Sequence, residues 1–180
     1  MTHLGSFSLL FITVLVLVSS CKKVDKLTQF DMEYTETVII PSSTGIDLPF
    51  SIVQPDIESN STSTFEANDT RKDLIEEIRL TQLDLTLTSP ENGDFDFLEE
   101  IEIFIEAEGL EEKRIAYLSE VPTNSTRFLD LTVSDSDLKE FIKKDEFSLR
   151  VRTVTDETIN SDHHIEVHSS FFVDAKILGQ

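Results

Sequence analysis

Alternation between apolar and polar side chains is the feature that most restricts how this chain can fold. It is sharpest over 100–108, where Ile101, Ile103 and Ile105 share one face and glutamates occupy most of the other. Successive side chains of a strand point to opposite faces, whereas a helix would scatter these residues around its circumference. The segment is therefore predicted to be a β-strand with one buried face.

The same pattern recurs along the chain and predicts the fold class. Similar apolar stripes occupy 34–40, 46–52, 80–88, 127–133, 147–153 and 165–177. Turn signals separate the stripes, and Ser-Pro-Glu-Asn-Gly-Asp at 89–94 is the clearest of them. Pro49 in the second stripe suggests an edge strand or a bulge. With no regular alternation of strands and helices, we expect a mainly β protein, an antiparallel β-sandwich of about seven or eight strands with one or two short helices.

Two segments carry the start signals of short helices. Ser134 can cap a helix and Asp137 can complete a capping box ahead of apolar residues at helical spacing. Thr70 with Asp73 forms a similar box and predicts one or two helical turns after it. The polar segment before that box, 55–70, is expected to be a loop with a short strand around 63–66.

Composition excludes several functional classes. The chain has 35 Asp and Glu against 15 Lys and Arg, a net charge of −20. Nucleic acid is excluded as a partner, because its phosphate backbone is bound mainly by Lys and Arg. Hydrophobic residues make up 39% of the chain, enough for a core. The single cysteine excludes an internal disulfide framework and a cysteine-based zinc site.

The first twenty residues are unlike the rest. They contain no Asp, Glu, Lys or Arg, and 9–18 reads LLFITVLVLV. A membrane-spanning helix needs roughly 20 apolar residues, so this run has the length of a signal-peptide core instead. Small residues follow at Ser19 and Ser20, directly before Cys21.

This arrangement resembles the lipobox of bacterial lipoproteins. The resemblance implies that a diacylglyceryl group joins the sulfur of Cys21, that a peptidase cuts before Cys21, and that the new amine is acylated. The expected organisation is a signal peptide at 1–20, a tether at 21–28 and a single acidic β-sandwich domain at 29–180. Two alternatives stay open, a secretory signal with an incidental cysteine or a short membrane anchor, because 1–8 lacks the usual cationic residue.

The resemblance also implies where the protein acts. Two or more acyl chains hold a protein firmly to a bilayer, whereas a single chain binds only marginally. The absence of Asp directly after Cys21 favours the outer membrane of a Gram-negative cell under the sorting rules of lipoproteins. Lys22, Lys23 and Lys26 either contact anionic headgroups or are solvated linker residues. The expected partners are the membrane, through the lipid, and an envelope protein.

No catalytic constellation is recognisable, so we expect a non-catalytic binding or assembly role without a cofactor. Glycine-rich phosphate loops and the GxSxG motif are absent. His164 and His168 share a strand face with Glu166, but about 13 Å separates them along the strand, too far for one metal ion. The alternative function is an envelope hydrolase that uses a metal at these histidines or paired carboxylates. Calcium could bind the pairs Asp94/Asp96 or Asp135/Asp137, although the EF-hand spacing is absent.

Outward-facing aromatic and charged residues suggest contact surfaces. Phe104 and Phe172 fall on the outer faces of their strands, where either a helix or loop covers them or a partner protein contacts them. A groove beside Phe104 or Tyr34 would favour capture of sugars or peptides.

The charges on two of the predicted strands are complementary. Glu102 and Glu106 face outward on one strand, and Arg150 and Arg152 face outward on another. If the two strands are neighbours, these residues are expected to form cross-strand ion pairs.

Overall fold

The computed structural model describes residues 28–42, 50–124 and 126–176. Two antiparallel sheets pack face to face, which confirms the predicted mainly β sandwich with short helices. The strands are β1 (Gln29–Ile40), β2 (Phe50–Glu58), β3 (Ile75–Ser89), β4 (Leu98–Glu106), β5 (Lys113–Leu118), β6 (Phe128–Asp130), β7 (Thr132–Val133), β8 (Glu146–Thr155) and β9 (His163–Ala175). The helices are α1 (Ser61–Ala67), α2 (Lys139–Ile142) and a 3-10 turn (Lys72–Leu74).

One sheet has four strands in the order β1-β9-β3-β6, and the other has five in the order β2-β8-β4-β5-β7. The stripe predicted as one strand over 127–133 is divided between β6 and β7, which belong to different sheets. The chain therefore crosses from one sheet to the other near Leu131. Leu129 and Leu131 are nevertheless both buried, because each contributes to the core between the sheets.

The predicted inner faces are the buried ones. On β4 the isoleucines at 101, 103 and 105 are buried, and on β8 the residues Phe147, Leu149 and Val151 are buried. On β9 the residues facing the core alternate from Ile165 to Ala175. The strand predicted over 46–52 lies partly outside the described residues, and so does Pro49. β2, which begins at Phe50, is an edge strand, as the proline suggested. The strand pattern therefore reports which face of each sheet is in the core.

The two ends of the sandwich are built from different elements. At the tether end lie the start of β1, the end of β9, α1, α2 and the turn between β4 and β5. At the distal end lie the loops 90–97 and 156–162 and the described parts of a third, 119–124 and 126–127. Thr28, the first described residue and the last residue of the expected tether, lies at the tether end.

The prediction for 55–70 was wrong. β2 continues to Glu58, and α1 then occupies the segment expected to contain a short strand. Phe65 of α1 is fully buried and its ring lies edge-on to Phe30 at a centroid distance of 6.2 Å. Packing of this one aromatic side chain explains a helix in a sequence, STSTFEA, that is rich in weak helix formers.

The predicted cap at Thr70 is not formed, although one helical turn does follow it. Only the 3-10 turn follows it, and β3 begins at Ile75. The Thr70 hydroxyl donates instead to the Lys176 carbonyl at 2.6 Å, linking the segment to the end of β9. A partner more than a hundred residues away thus replaces the local cap.

The second helix begins later than expected and lacks the predicted cap. α2 starts at Lys139 with no side-chain cap, so neither Ser134 nor Asp137 plays its predicted part. The Asp137 carboxylate accepts hydrogen bonds from the amides of Ile78 (3.2 Å) and Lys139 (3.0 Å). Asp137 therefore connects the segment before α2 to β3, while Phe141 and Ile142 are buried as predicted.

This contact gives a pH dependence. Partial burial acts to raise the pKa of Asp137, but the two amide hydrogen bonds and the Lys139 ammonium outweigh it and lower the pKa below its usual value. A lowered folded-state pKa stabilises the fold above the unfolded value of about 3.9, and this contribution is lost as the pH falls through the folded pKa.

We expect Asp137→Asn to be less stable than the parent at pH 6, with the difference closing towards pH 3. The difference should stay below about 1 kcal/mol, because the carboxylate is partly exposed to solvent. Urea unfolding at several pH values measures it. A difference that does not change with pH would contradict this role of the carboxylate.

Candidate functional site

The residue with the most specific sequence prediction lies outside the described part of the chain. Cys21, Lys22, Lys23 and Lys26 all precede Thr28, the first described residue. Their lipidation and headgroup contacts therefore stay predictions. Among the described residues, no helix has the length and apolar character required to cross a bilayer.

The structure does not bring His164 and His168 together. Both lie on the outer face of the four-stranded sheet, four residues apart on β9. His163 faces the core instead, where its ring lies 4.4 Å from that of Phe97. In the described ranges, no three His, Cys, Asp or Glu side chains are close enough together to hold a metal ion.

A residue on a neighbouring strand is the partner of His168, but the sequence alone does not identify that residue. Nδ1 of His168 lies 3.2 Å from Oδ2 of Asp84 on β3, and the Gln82 amide donates to the same oxygen at 2.8 Å. Asp84 is only 7% exposed although it faces outward. This polar trio orients the imidazole and links β3 to β9 on the outer face.

The candidate calcium pairs have structural partners. The Asp94 carboxylate accepts a hydrogen bond from the Asp96 amide at 3.1 Å, which is typical of aspartate in a turn. The Asp137 carboxylate accepts hydrogen bonds from the amides of Ile78 and Lys139 and makes none with Asp135. Neither pair forms a cluster of converging oxygens.

The outer face of the five-stranded sheet carries the densest set of functional side chains, which we call the charged-aromatic face. Its members are Glu102, Phe104, Glu106, Glu112, Arg114, Tyr117, Arg150 and Arg152. β4 and β8 are adjacent, with Glu102 directly opposite Arg152, so the predicted cross-strand pairing is confirmed. The measured contacts are Arg152 to Glu102 and Arg150 to Glu106, both 3.2 Å.

Arg150 is the centre of this face. Its guanidinium donates to both oxygens of Glu112, with the shortest contacts at 2.6 Å, and to the Ser51 hydroxyl on β2 at 3.2 Å. The same group lies 4.3 Å from the centroid of the Phe104 ring, a cation–π geometry. The hydrogen bond from Arg150 lowers the pKa of Glu112. The side chain is only 18% exposed.

Glu102 connects two further arginines. One carboxylate oxygen accepts from Arg114 at 2.6 Å and the other from Arg152 at 3.2 Å. Arg114 also lies 4.4 Å from the ring centroid of Tyr117. The face therefore alternates carboxylates and guanidinium groups across β5, β4 and β8, with aromatic rings beneath them.

The aromatic rings are not open platforms. Phe104 lies beneath Arg150, and Phe172 on the other sheet lies 5.6 Å from the Arg79 guanidinium. Arginine side chains, rather than a helix or loop, thus cover both. Tyr34 packs edge-on against Phe147 and Phe171, and its hydroxyl donates to the Ser59 carbonyl at 2.5 Å. Burial raises the pKa of Tyr34.

We expect Arg150→Gln to lower the free energy of unfolding by about 1–2 kcal/mol, because it removes a largely buried stem and the cation above Phe104. Arg152→Gln is the matched control on the same strand and face. Its side chain is 45% exposed and has one ionic partner, so we expect a loss below about 0.5 kcal/mol. Urea unfolding compares them, and equal losses would contradict a central role for Arg150.

Charge is distributed unequally between the two ends. Acidic residues occur at both ends, but every lysine of the described residues lies at the tether end. These lysines are Lys72, Lys113, Lys139, Lys143, Lys144 and Lys176. In the described distal loops the one Lys or Arg is Arg127, whose guanidinium binds backbone carbonyls. The distal end is therefore the more uniformly anionic.

A cleft of about 470 Å³ opens at the tether end beside the β4–β5 turn. Its charged lining residues are Asp56, Glu108, Asp145 and Glu146, with Lys144 as the single cation. Asp145 forms an ion pair with Lys72 at 2.7 Å. The excess of carboxylates disfavours anionic ligands in this cleft.

Sequence reasoning missed Asp84, Glu112, Arg114 and Tyr117. The alternation of β3 places Asp84 outward, but only the pairing of β3 with β9 identifies His168 as its partner. Glu112 lies in the turn after β4, where a loop carboxylate gives no signal of its own. Arg114 and Tyr117 could have been found, because β4 and β5 are joined by a short turn around Gly109 and so are expected to pair.

Comparisons with known proteins identify no family. No protein-family model matches the chain, and no curated protein matches it. Similar solved structures include an empty head of turnip yellow mosaic virus (10% identity, 83% of this chain and 82% of that chain, TM-score 0.29). Cocksfoot mottle virus gives 10% identity over 83% of this chain and 85% of that chain, with a TM-score of 0.29.

One further similar structure is a carbohydrate-binding module of the β-sandwich superfamily. It is 10% identical, with 82% of this chain and 55% of that chain covered and a TM-score of 0.28. Similarity this low carries no argument about ligand or role.

Proposed function

We propose that this protein is a lipid-anchored lipoprotein of the cell envelope with a non-catalytic binding or assembly role, in the outer membrane of a Gram-negative bacterium. The observation that carries the proposal is the apolar run 9–18, which ends in small residues directly before Cys21, the single cysteine of the chain. A β-sandwich domain begins only a few residues later, so a lipid on Cys21 would hold that domain close to the membrane.

The position of the lysines supports anchoring at this end. The described lysines share the end of the sandwich where β1 begins, and Lys22, Lys23 and Lys26 precede β1 in sequence. Most of the described lysines form ion pairs with carboxylates at the same end, such as Lys72 with Asp145 and Lys176 with Glu76, so they offset part of its acidic charge. Within a Debye length, an anionic membrane surface therefore repels this end less than the distal end. The anionic distal end is farthest from Thr28 and so from the proposed lipid.

The charged-aromatic face supports the binding role. Protein interfaces are enriched in Arg, Tyr and Phe relative to the rest of the surface. Here arginines lie above Phe104 and Tyr117, and Val53 on the adjacent edge strand is 49% exposed. The arginines are already paired with carboxylates, so the surface is held in place before a partner binds. We propose an envelope protein as that partner.

Intact-mass analysis of protein recovered from cell membranes tests the anchor. We expect loss of residues 1–20 and the added mass of acyl chains on Cys21. Cys21→Ser should remove that mass and reduce the membrane-bound fraction at least about tenfold, because no acyl chain then anchors the protein. Ser20→Ala is the matched control, since it keeps a small residue before Cys21 and should remain acylated.

An unmodified mass, with the protein released freely, would contradict the anchor. Turnover of an envelope substrate that is abolished by a single substitution, for example at His168, would contradict the non-catalytic role and favour the hydrolase.

A further inference from the structure

In the described part of the chain, four strands form the edges of the two sheets, and β1 is the longest and most regular of them. β6 and β7 are only 3 and 2 residues long. β2 has a register shift between Gln54 and Ile57, with Pro55 within it and Asp56 at positive φ. Short length, bulges, proline and charged side chains are the usual devices against edge-to-edge association, and of these β1 carries only the carboxylates of Asp31, Glu33 and Glu36. β1, in contrast, has 12 residues paired to β9 without any register shift and contains no proline or lysine.

The backbone groups of β1 that point away from β9 can be identified. The Ala175 amide donates to the Thr28 carbonyl at 3.0 Å, so these two residues form a hydrogen-bonded pair. Such pairs alternate along an antiparallel ladder, so the even-numbered residues of β1 bond to β9. The amides and carbonyls of Gln29, Asp31, Glu33, Thr35, Thr37 and Ile39 therefore point away from β9. Their side chains are all exposed on the outer face.

We propose that two copies of this chain associate through β1, antiparallel and edge to edge, with Thr35 opposite Thr35 of the second copy. The second copy is the occupant that fits because the strand complements itself in this register. Glu33 then lies opposite Thr37 and Asp31 opposite Ile39, so no two carboxylates are directly opposed. Threonine opposite threonine is itself a favourable cross-strand pair.

The side chains on the inner face of β1 also favour this register. It places Phe30 opposite Ile40 and Met32 opposite Val38, which extends the apolar layer across the two copies. Glu36, which is half-buried and faces inward, lies opposite Tyr34. A register shifted by one residue on each copy would place the Glu36 carboxylate against Met32 instead. On this inner face the carboxylate would be shielded from solvent against an apolar side chain, whereas Asp31 opposite Ile39 lies on the exposed outer face. The Thr35-centred register is therefore preferred.

Anchoring constrains such a pair without being required for it. The two Thr28 residues would lie about 45–50 Å apart along the strands. A segment such as 21–27 spans at most about 25 Å. If both copies carry lipid in one bilayer, the strands must run along the membrane surface, and the pair gives up the separation between distal end and membrane that a single anchored copy has.

Disulfide trapping tests the register. In full-length chain with Cys21→Ser, purified in detergent, Thr35→Cys should form an inter-chain disulfide, because hydrogen-bonded pairs have Cα atoms about 5.5 Å apart. Thr37→Cys is the matched control, with its two copies roughly 14 Å apart. The Cys21→Ser background makes the result independent of acylation, so this proposal and the proposed anchor can fail separately.

Sedimentation velocity tests the association itself. The parent should be dimeric at tens of micromolar, and Thr35→Pro should raise the dissociation constant at least tenfold. The Thr35 amide points away from β9, so proline there leaves the β9 ladder intact. Dimer formation should also increase between 50 and 500 mM NaCl, because each copy carries a charge of −20. A monomer throughout, or trapping at Thr37 equal to that at Thr35, would overturn the proposal.

Discussion

Replacing Phe171 with alanine is expected to destabilise the domain by about 3–5 kcal/mol. Phe171 lies in the middle of β9, which pairs on both sides with β1 and β3. The side chain is 1% exposed and packs edge-on against Tyr34 at a centroid distance of 5.6 Å. Alanine would lose this contact and leave a cavity between the sheets. The loss is a large part of the 5–15 kcal/mol typical of a domain.

Phe172 provides the matched control, because it has the same chemistry one residue along but faces the outer surface. It is half-buried beneath Arg79, so Phe172→Ala should cost below about 1 kcal/mol. Guanidinium unfolding measures both, and Phe171→Leu gives a milder variant should alanine prevent folding. Similar losses at 171 and 172 would mean that the faces of β9 are wrongly assigned.

The contrast between these neighbours shows why so much of the strand pattern was predictable. In a strand the side-chain period is two residues, so the sequence itself states which residues share a face. Ile101, Leu149 and Val167 therefore pointed to the core before any pairing was known. The predicted ion pairs between β4 and β8 required only one further assumption, that the strands are neighbours.

The failures all involve a distant partner. Asp137 looked like part of a capping box, but the Ile78 amide on β3 takes its carboxylate. Thr70 looked like a cap, but the end of β9 takes its hydroxyl. A local sequence pattern predicts a hydrogen bond to a nearby residue. In the folded protein, the same side chain can instead bond to a residue far away in the sequence, and a local pattern cannot predict that partner. The same applies to Asp84, whose burial depends on His168 from another strand.

Among the candidate functional features, the proposed lipid attachment is the one that the sequence predicts most specifically, because that chemistry depends on a contiguous segment. The charged-aromatic face was only partly foreseen. Glu102 and Arg152 lie on regular strands, whereas Glu112 reaches Arg150 from a turn. Loop residues have no periodicity that fixes their direction, so surfaces assembled from strands and loops together cannot be read completely from the sequence.

Arg127→Ala is expected to lower the free energy of unfolding by about 2–3 kcal/mol. The guanidinium of Arg127 donates to the carbonyls of Leu87 (2.5 Å), Pro90 (2.6 Å) and Glu91 (2.5 Å). A hydrogen bond from a charged group contributes about 1.5–3 kcal/mol, but these bonds share one guanidinium and are partly exposed, so they do not add fully. The substitution leaves the turn after β3 without its main donor.

A lysine at this position is the informative control. Arg127→Lys keeps the charge, but a single ammonium cannot reproduce the planar fork that reaches several carbonyls at once. We expect it to recover less than half of the loss, measured by urea unfolding. Full recovery by lysine would mean that charge alone matters at the anionic distal end. A loss below about 0.5 kcal/mol for alanine would mean that the carbonyl contacts do not form in solution, and that the turn is held by β3 and its own backbone instead.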